Sequence, residues 1–194
     1  MSNPDVKLDR LPVFDNHYGR PDRWMGLRVD GLVAAPRTFS AADLEALTAA
    51  MLTDDFRCEE GWVVDSQRWE GVPLAELLQV VRPLPLARYA KVSAAEYLVA
   101  VPLSEADEAA SKGLTVAHAL LAHRLNGAAL PEAHGGPCRL VIAGAACHAS
   151  IKWVDHIRLT AERPEETARH IAHRRLEAHV AGVGDPCIIS PVVR

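Results

Sequence analysis

Cys138-Arg139-Leu140-Val141-Ile142-Ala143-Gly144 contains a compact aliphatic run, and its reading decides the fold. Leucine, valine and isoleucine in succession, closed by a glycine, suit a strand buried on both faces rather than one with a wet side. Such a strand needs a layer on each side, and the flanking sequence offers them. Downstream, His156 to Ala161 alternates and predicts a paired strand. After Pro164, residues 165–180 read as a charged surface helix with Ile171, Leu176 and Val180 turned inward. Upstream, residues 114–125 (LTVAHALLAHRL) have helical periodicity and predict an amphipathic helix, with Asn126-Gly127 as its stop or turn. Strands are expected at Tyr89 to Ser93 and Tyr97 to Val101. Pro73 opens a helix carrying Leu74, Leu77, Leu78 and Val81, which Arg82-Pro83-Leu84-Pro85 terminates. Ser40 caps a helix with Leu44, Leu47 and Met51 on one face. Trp24 to Val33 predicts two short strands around Asp30-Gly31. Strands and helices intersperse irregularly, so the expected class is a single mixed α+β domain over 12–194, preceded by an N-terminal arm over 1–11.

Composition narrows the function. The 194 residues carry 21 Lys plus Arg against 25 Asp plus Glu, a formal charge of −4, which argues against nucleic acid as the main partner. Hydrophobic residues at 49% and charged residues at 24% suit a globular chain and exclude a mainly disordered one. No run approaches the roughly 18 apolar residues that cross a bilayer, so direct membrane insertion is not expected. The acidic, unapolar start MSNPDVKLDRLPVFD points to cytoplasmic residence. Cys58, Cys138, Cys147 and Cys187 are widely spaced, with neither a CxxC pair nor a zinc-ribbon interval, and read as thiols rather than a disulfide scaffold.

The most chemical stretch is Cys58-Glu59-Glu60-Gly61-Trp62. A thiolate at Cys58 serves as a nucleophile or a soft metal ligand, while the bland reading is a buried cysteine at a strand end followed by a turn. Glu59 and Glu60 oppose thiolate formation unless a metal, backbone donors or cations compensate. Trp62 offers an apolar wall and one N–H donor.

Taken together, FDNHYG (14–19), WMGLRVDGLVAAP (24–36), FRCEEGWVVDSQRWEGVPLAELL (56–78) and LPEAHGGPCRLVIAGAACHASIKWVDHIRL (130–159) resemble the molybdopterin-binding domain of sulfite-oxidase-type oxidoreductases. The likeness runs from Pro12 to about Cys187 and is strongest to small bacterial members, including protein-methionine-sulfoxide reductase catalytic subunits. It implies molybdenum cofactor, with molybdopterin as its organic part, and oxygen-atom transfer on an S-oxide or related small substrate. Cys58 is then the metal's protein sulfur, whose deprotonation the metal itself favours. Within C-x-E-x-W, Glu60 either orients a water or protonated ligand or anchors the loop, and Trp62 is a pocket wall or packing residue. Asn16, His17, Tyr18, Arg139, His148, Ser150 and Lys152 occupy positions that the resemblance assigns to the cofactor. For Lys152 a phosphate contact competes with a surface salt bridge, and for Arg139 with a structural ion pair. With neither a haem pair nor a flavin fingerprint in the sequence, electrons are expected from a separate donor or acceptor.

Two departures matter. Ala149 stands where the family commonly has a basic residue, in Ala145-Ala146-Cys147-His148-Ala149-Ser150. Cys147 there reads as a small buried side chain, with a secondary reactive thiol as the alternative. Cys187 follows Gly184-Asp185-Pro186 where an aromatic is expected. These changes motivate a rival expectation, a catalytically weak molybdopterin-binding or redox-regulatory module.

Overall fold

The structure is a computed structural model that describes residues 6–13, 21–47, 49–59, 61–104 and 115–180. In chain order its elements are β1 (Val6–Lys7), β2 (Leu27–Gly31), β3 (Arg37–Phe39), α1 (Ala41–Ala46), β4 (Ala50–Cys58), β5 (Trp62–Pro73) and α2 (Leu74–Val81). They continue as β6 (Tyr89–Ala94), β7 (Tyr97–Pro102), β8 (Ala119–Leu125), β9 (Ala128–Ala129), β10 (Arg139–Ile142), β11 (His156–Thr160) and α3 (Ala168–Val180). One sheet runs β1-β5-β8-β10, with β4 on β5 and β9 on β8, and the other runs β3-β2-β11-β6-β7. Both are mixed, since β1 lies parallel to β5 and β11 parallel to β2 while their other pairings are antiparallel. The class is α+β, as the sequence predicts.

The expected buried strand is β10, covered on both faces. Leu140 and Ile142 enter a large core shared with α2 and the second sheet, while Val141 enters a smaller core on the other side. β8 sorts its side chains the same way: Ala119 and Leu121 join the large core, Leu120 and Ala122 the small one. Here one expectation fails. The helix predicted over 114–125 is a short 3-10 turn, Val116–His118, followed by strand β8. A strand flanked by β5 and β10 and buried on both faces has no polar stripe, so its apolar run imitates a helical face. Asn126 (φ +51°) and Gly127 (φ +83°) form the tight hairpin turn into β9, rather than a helix cap.

Two smaller corrections follow from local geometry. Trp24 to Val33 holds one strand, β2, instead of two around a turn. Gly31 ends it at φ +85°, and a Cβ there would lie 2.3 Å from the Leu159 carbonyl oxygen of β11. That close approach demands glycine. Neighbouring Asp30 is held by Arg28 Nε at 2.7 Å and sits 3.0 Å from His156 Nε2. Helix α1 stops at Ala46, and Met51 belongs to β4 instead. The Ser40 cap is present as a full capping box with Asp43. Elsewhere, α2, the β6–β7 hairpin, β11 and α3 appear where the sequence predicts them.

Residues 50–73 form one long antiparallel hairpin of β4 and β5. Its pairing shifts register once, where Asp54 opposes Gln67 but Phe56 opposes Val64, leaving β5 one residue longer. Ser66 takes up the excess at φ +50°, and its N–H donates to Asp55 Oδ1 at 3.0 Å. A bulge inverts the side-chain alternation. Trp62 and Val64 before it and Trp69 after it therefore all point into the small core.

Candidate functional site

Cys58 is the last residue of β4 and pairs across the hairpin with Trp62. The Gly61 N–H donates to the Cys58 carbonyl at 3.0 Å, with Gly61 at φ +86°, so this glycine serves the turn. Strand alternation sends Phe56 and Cys58 to the small-core side and Arg57 outward, where its guanidinium meets Asp55 at 3.2 Å. Trp62 is 3% exposed and stacks on Phe56, with ring centroids 6.1 Å apart. It packs as a wall of the small core. Asn16, His17, Tyr18 and Glu60 lie outside the described residues, as does Cys187.

The second wall comes from the segment after β10. The Gly144 N–H donates to Asp54 Oδ2 at 2.8 Å, tying this segment to β4. A 3-10 turn, Cys147–Ala149, follows, and the Ser150 N–H donates to the Cys147 carbonyl at 3.0 Å. Ser150 itself is buried. This brings Cys147 Sγ to 3.0 Å from Cys58 Sγ. His148 Nδ1 lies 3.5 Å from Glu59 Oε2, and His173 Nε2 of α3 lies 3.3 Å from the same oxygen. His148 Nδ1 is buried and its contact with Glu59 is too poorly formed to be a hydrogen bond. Burial holds His148 below the usual imidazole range, with Glu59 opposing the effect.

Arg139 lies under this wall. It is 4% exposed, and its Cζ sits 5.0 Å from the ring centroids of both Phe56 and Trp69. Its Nη1 donates to the His134 carbonyl at 2.9 Å, but its Nε is buried with no hydrogen-bond partner among the described residues. The structural ion pair considered for Arg139 is replaced by an aromatic sandwich. Burial pushes the guanidinium down to about 10, so it keeps its charge at neutral pH. Lys152 Nζ donates to the Ala133 carbonyl at 2.8 Å and stands 5.5 Å from the Trp153 ring. Trp153 Nε1 in turn donates to the Glu132 carbonyl at 2.8 Å. These bonds hold the 132–136 turn against Lys152, and a Cβ at Gly135 would lie 2.8 Å from the Lys152 Cβ. Burial, then Lys152, then Arg139 bring His134 down to about 4, leaving it neutral at pH 7. An open cleft of about 240 Å³ beside His134 is lined also by Arg10, Gln67 and Asn126.

The sequence offers His134 only as part of a turn and gives no reason to pair Cys147 with Cys58. His134 carries a faint signal, a histidine before two glycines. The cysteine pair has none, because 89 positions separate the two. Among the described residues, no three His, Cys, Asp or Glu side chains converge to hold a metal ion. A molybdenum cofactor nonetheless fits this donor set. It needs one soft protein sulfur, which a half-buried cysteine at a strand end offers, and its anionic parts need fixed donors. An unpartnered N–H on a buried guanidinium is such a donor, and it is a rare feature unless something is to bind it.

Comparison with known proteins agrees. Residues 12–168 match the model of the oxidoreductase molybdopterin binding domain. The chain is 34% identical over 155 residues to the protein-methionine-sulfoxide reductase catalytic subunit MsrP of Ralstonia nicotianae, covering 75% of this chain and 46% of that one. It is 30% identical over 174 residues to the nitrate reductase [NADPH] of Beauveria bassiana, covering 76% of this chain and 19% of the other. The chain thus spans less than half the length of these curated relatives. The sulfane dehydrogenase SoxCD of Paracoccus pantotrophus shares the fold, with a TM-score of 0.63 at 23% identity over 73% of this chain and 39% of that one. With residues 12–168, most of its length, matched by the family model, the chain belongs to the oxidoreductase molybdopterin-binding domain family.

Proposed function

We propose that this domain holds a molybdenum cofactor through Cys58 and performs oxygen-atom transfer on a small S-oxide-like substrate. The observation that carries the reading is the half-buried Cys58 thiol on the same sheet face as the unpartnered Nε of Arg139. When bound, the cofactor supplies the two-electron redox and oxygen-transfer chemistry. The chain's own residues bind and orient. Cys58 gives the metal its protein sulfur, and Arg139 and Lys152 neutralise the pterin's anionic groups, with Ser150, His148, Asn16, His17 and Tyr18 completing the cradle. Phe56, Trp62 and Trp69 keep water from the sheet side. His134, neutral at pH 7, can present a ring nitrogen without adding charge. Glu60, two positions after Cys58 in the sequence, is assigned to orienting a ligand or anchoring the loop.

Two points favour an S-oxide over sulfite. A dianion needs converging cations near the metal, and Arg57 is turned outward to Asp55 while Glu59 flanks the cysteine. The MsrP relative, moreover, is by its name a methionine-sulfoxide reductase. That relative is also named a catalytic subunit, which supports electrons arriving from a separate carrier here. A second reading, a cofactor-binding module of weak turnover, is favoured by Ala149 in place of a basic residue and by a second thiol against Cys58.

The test is anaerobic purification from a host that makes the cofactor, followed by molybdenum and pterin quantification. Near-stoichiometric molybdenum is expected, with S-oxides turned over using an artificial electron donor. Full metal content without turnover across a broad panel of donors selects the weak module. A Cys58→Ser protein with unaltered metal spectra and turnover refutes the ligand assignment.

A further inference from the structure

Cys58 and Cys147 come from segments far apart in the chain, yet their sulfur atoms stand 3.0 Å apart, both half-buried. Two thiols in non-bonded contact pack farther apart, and a disulfide closes at about 2.05 Å, so a shift of about 1 Å joins them. The hydrogen bond from Gly144 to Asp54 already docks the 3-10 turn of Cys147 on β4. Gly144, at φ +68° with open space where a Cβ would be, leaves that segment room to adjust. Cys138 provides the contrast: it is fully buried in the large core, and burial pushes its thiol up to about 12. Among the described residues it has no partner sulfur, and its burial denies access to an oxidant.

The geometry points to Cys147 as a disulfide partner of Cys58, closing the cofactor-free domain by a covalent bond across its own site. The oxidant is a small disulfide of the glutathione class. One protein thiol attacks it as thiolate and releases one small thiol, forming a mixed disulfide. The second protein thiol then displaces the other small thiol. Both protein sulfurs are oxidised by one electron each, and their two protons leave on the two small thiols. A thiol reductant reverses the reaction. The bond itself requires only the two cysteines. Its consequence, that oxidation withholds the sulfur from molybdenum, rests on the function proposed above.

The experiment uses the full chain made in a host lacking the cofactor. It is treated with oxidised glutathione, quenched with an alkylating agent, digested and mapped by mass spectrometry. The expected product is about 2 Da lighter than the dithiol form, with the Cys58 and Cys147 peptides linked, and dithiothreitol reverses it. A Cys147→Ser chain should give no such link and should leave Cys58 open to alkylation. Full alkylation of both cysteines in the wild type, or a link from either one to Cys187 instead, overturns the pairing. Oxidised and reduced chains are then offered molybdenum cofactor released from a denatured molybdoenzyme. The oxidised chain should retain about tenfold less molybdenum. Equal retention by linked and reduced chains overturns the closing role. A link with no uptake by the reduced chain upholds the disulfide on mass alone and overturns the cofactor-holding function proposed above.

Discussion

The two faces of the sheet containing β8 and β10 begin from the same strands and end in different chemistry. On one face, Leu121, Leu140 and Ile142 meet α2 and the second sheet, in a core that is mostly aliphatic, with Phe39 and Cys138 among its buried members. On the other, Leu120 and Val141 meet three aromatic residues, and around them stand two thiols and a buried guanidinium with one N–H unsatisfied. The first face stabilises the fold. The second gives up part of its packing to polar groups that a purely structural layer would not retain, because a buried charge or an unpaired donor costs more than an aliphatic side chain of the same volume. A sheet covered on both sides can thus divide its labour by side-chain parity alone, one strand feeding both tasks through alternate residues.

The division is open to test. The largest effect is expected from Cys58→Ser, which should lower turnover per molybdenum by about a hundredfold or more while leaving the melting temperature close to wild type. A collapse of the fold in that variant would mean the thiol belongs to the packing after all. Next, Leu121 and Leu120 are adjacent, 1% and 5% exposed, and directed to opposite faces. Leu121→Ala should cost about 2–5 kcal/mol in denaturant unfolding, with Leu120→Ala near or below the bottom of that range. The reverse order erases the distinction between a structural and a functional face.

Arg139→Met sharpens the same contrast. It replaces a buried charge by an apolar chain of similar reach, so cofactor-free stability should hold or rise, whereas cofactor content should fall about tenfold. A large loss of stability with normal loading would assign Arg139 to its aromatic sandwich alone. The smallest effect concerns His134, whose folded value of about 4 lies below the ordinary imidazole value of 6.5. The unfolded chain therefore takes up the proton first as pH falls, and stability declines from about pH 6.5 down to about pH 4, where the penalty is complete. His134→Gln should flatten that part of the stability–pH curve, followed by urea midpoints at successive pH values. An unchanged slope would show that His134 is solvated in the folded protein.

Much of this architecture is legible in the residues alone. The Leu140-Val141-Ile142 run announces a doubly covered strand, Pro73 and its leucines announce α2, and Ser40 announces a capped helix. Cys58 stands out because a cysteine between charged residues sits badly in a core, and the surrounding motifs link it to a family. The failures share one cause, that tertiary neighbours leave no local mark. β8 imitates a helix because burial on both faces removes the alternation by which a strand is recognised. The Ser66 bulge, which turns Trp62, Val64 and Trp69 to one side, leaves no trace in residue types. For Arg139 only the ion-pair alternative fails, because its aromatic neighbours, Phe56 and Trp69, are brought to it by sheet order.

The sequence by itself determined the types of most elements, the mixed class of the fold, the family and the cysteine on which the proposed chemistry turns. Those properties depend on local periodicity, capping and turn chemistry, and on motifs whose residues are near neighbours in the chain. The tertiary structure decided which faces the strands present, that Arg139 is buried with a donor to spare, and that Cys147 lies against Cys58. Each of these depends on register and sheet order, set by the joint packing of distant segments, and a chain read residue by residue does not contain that information.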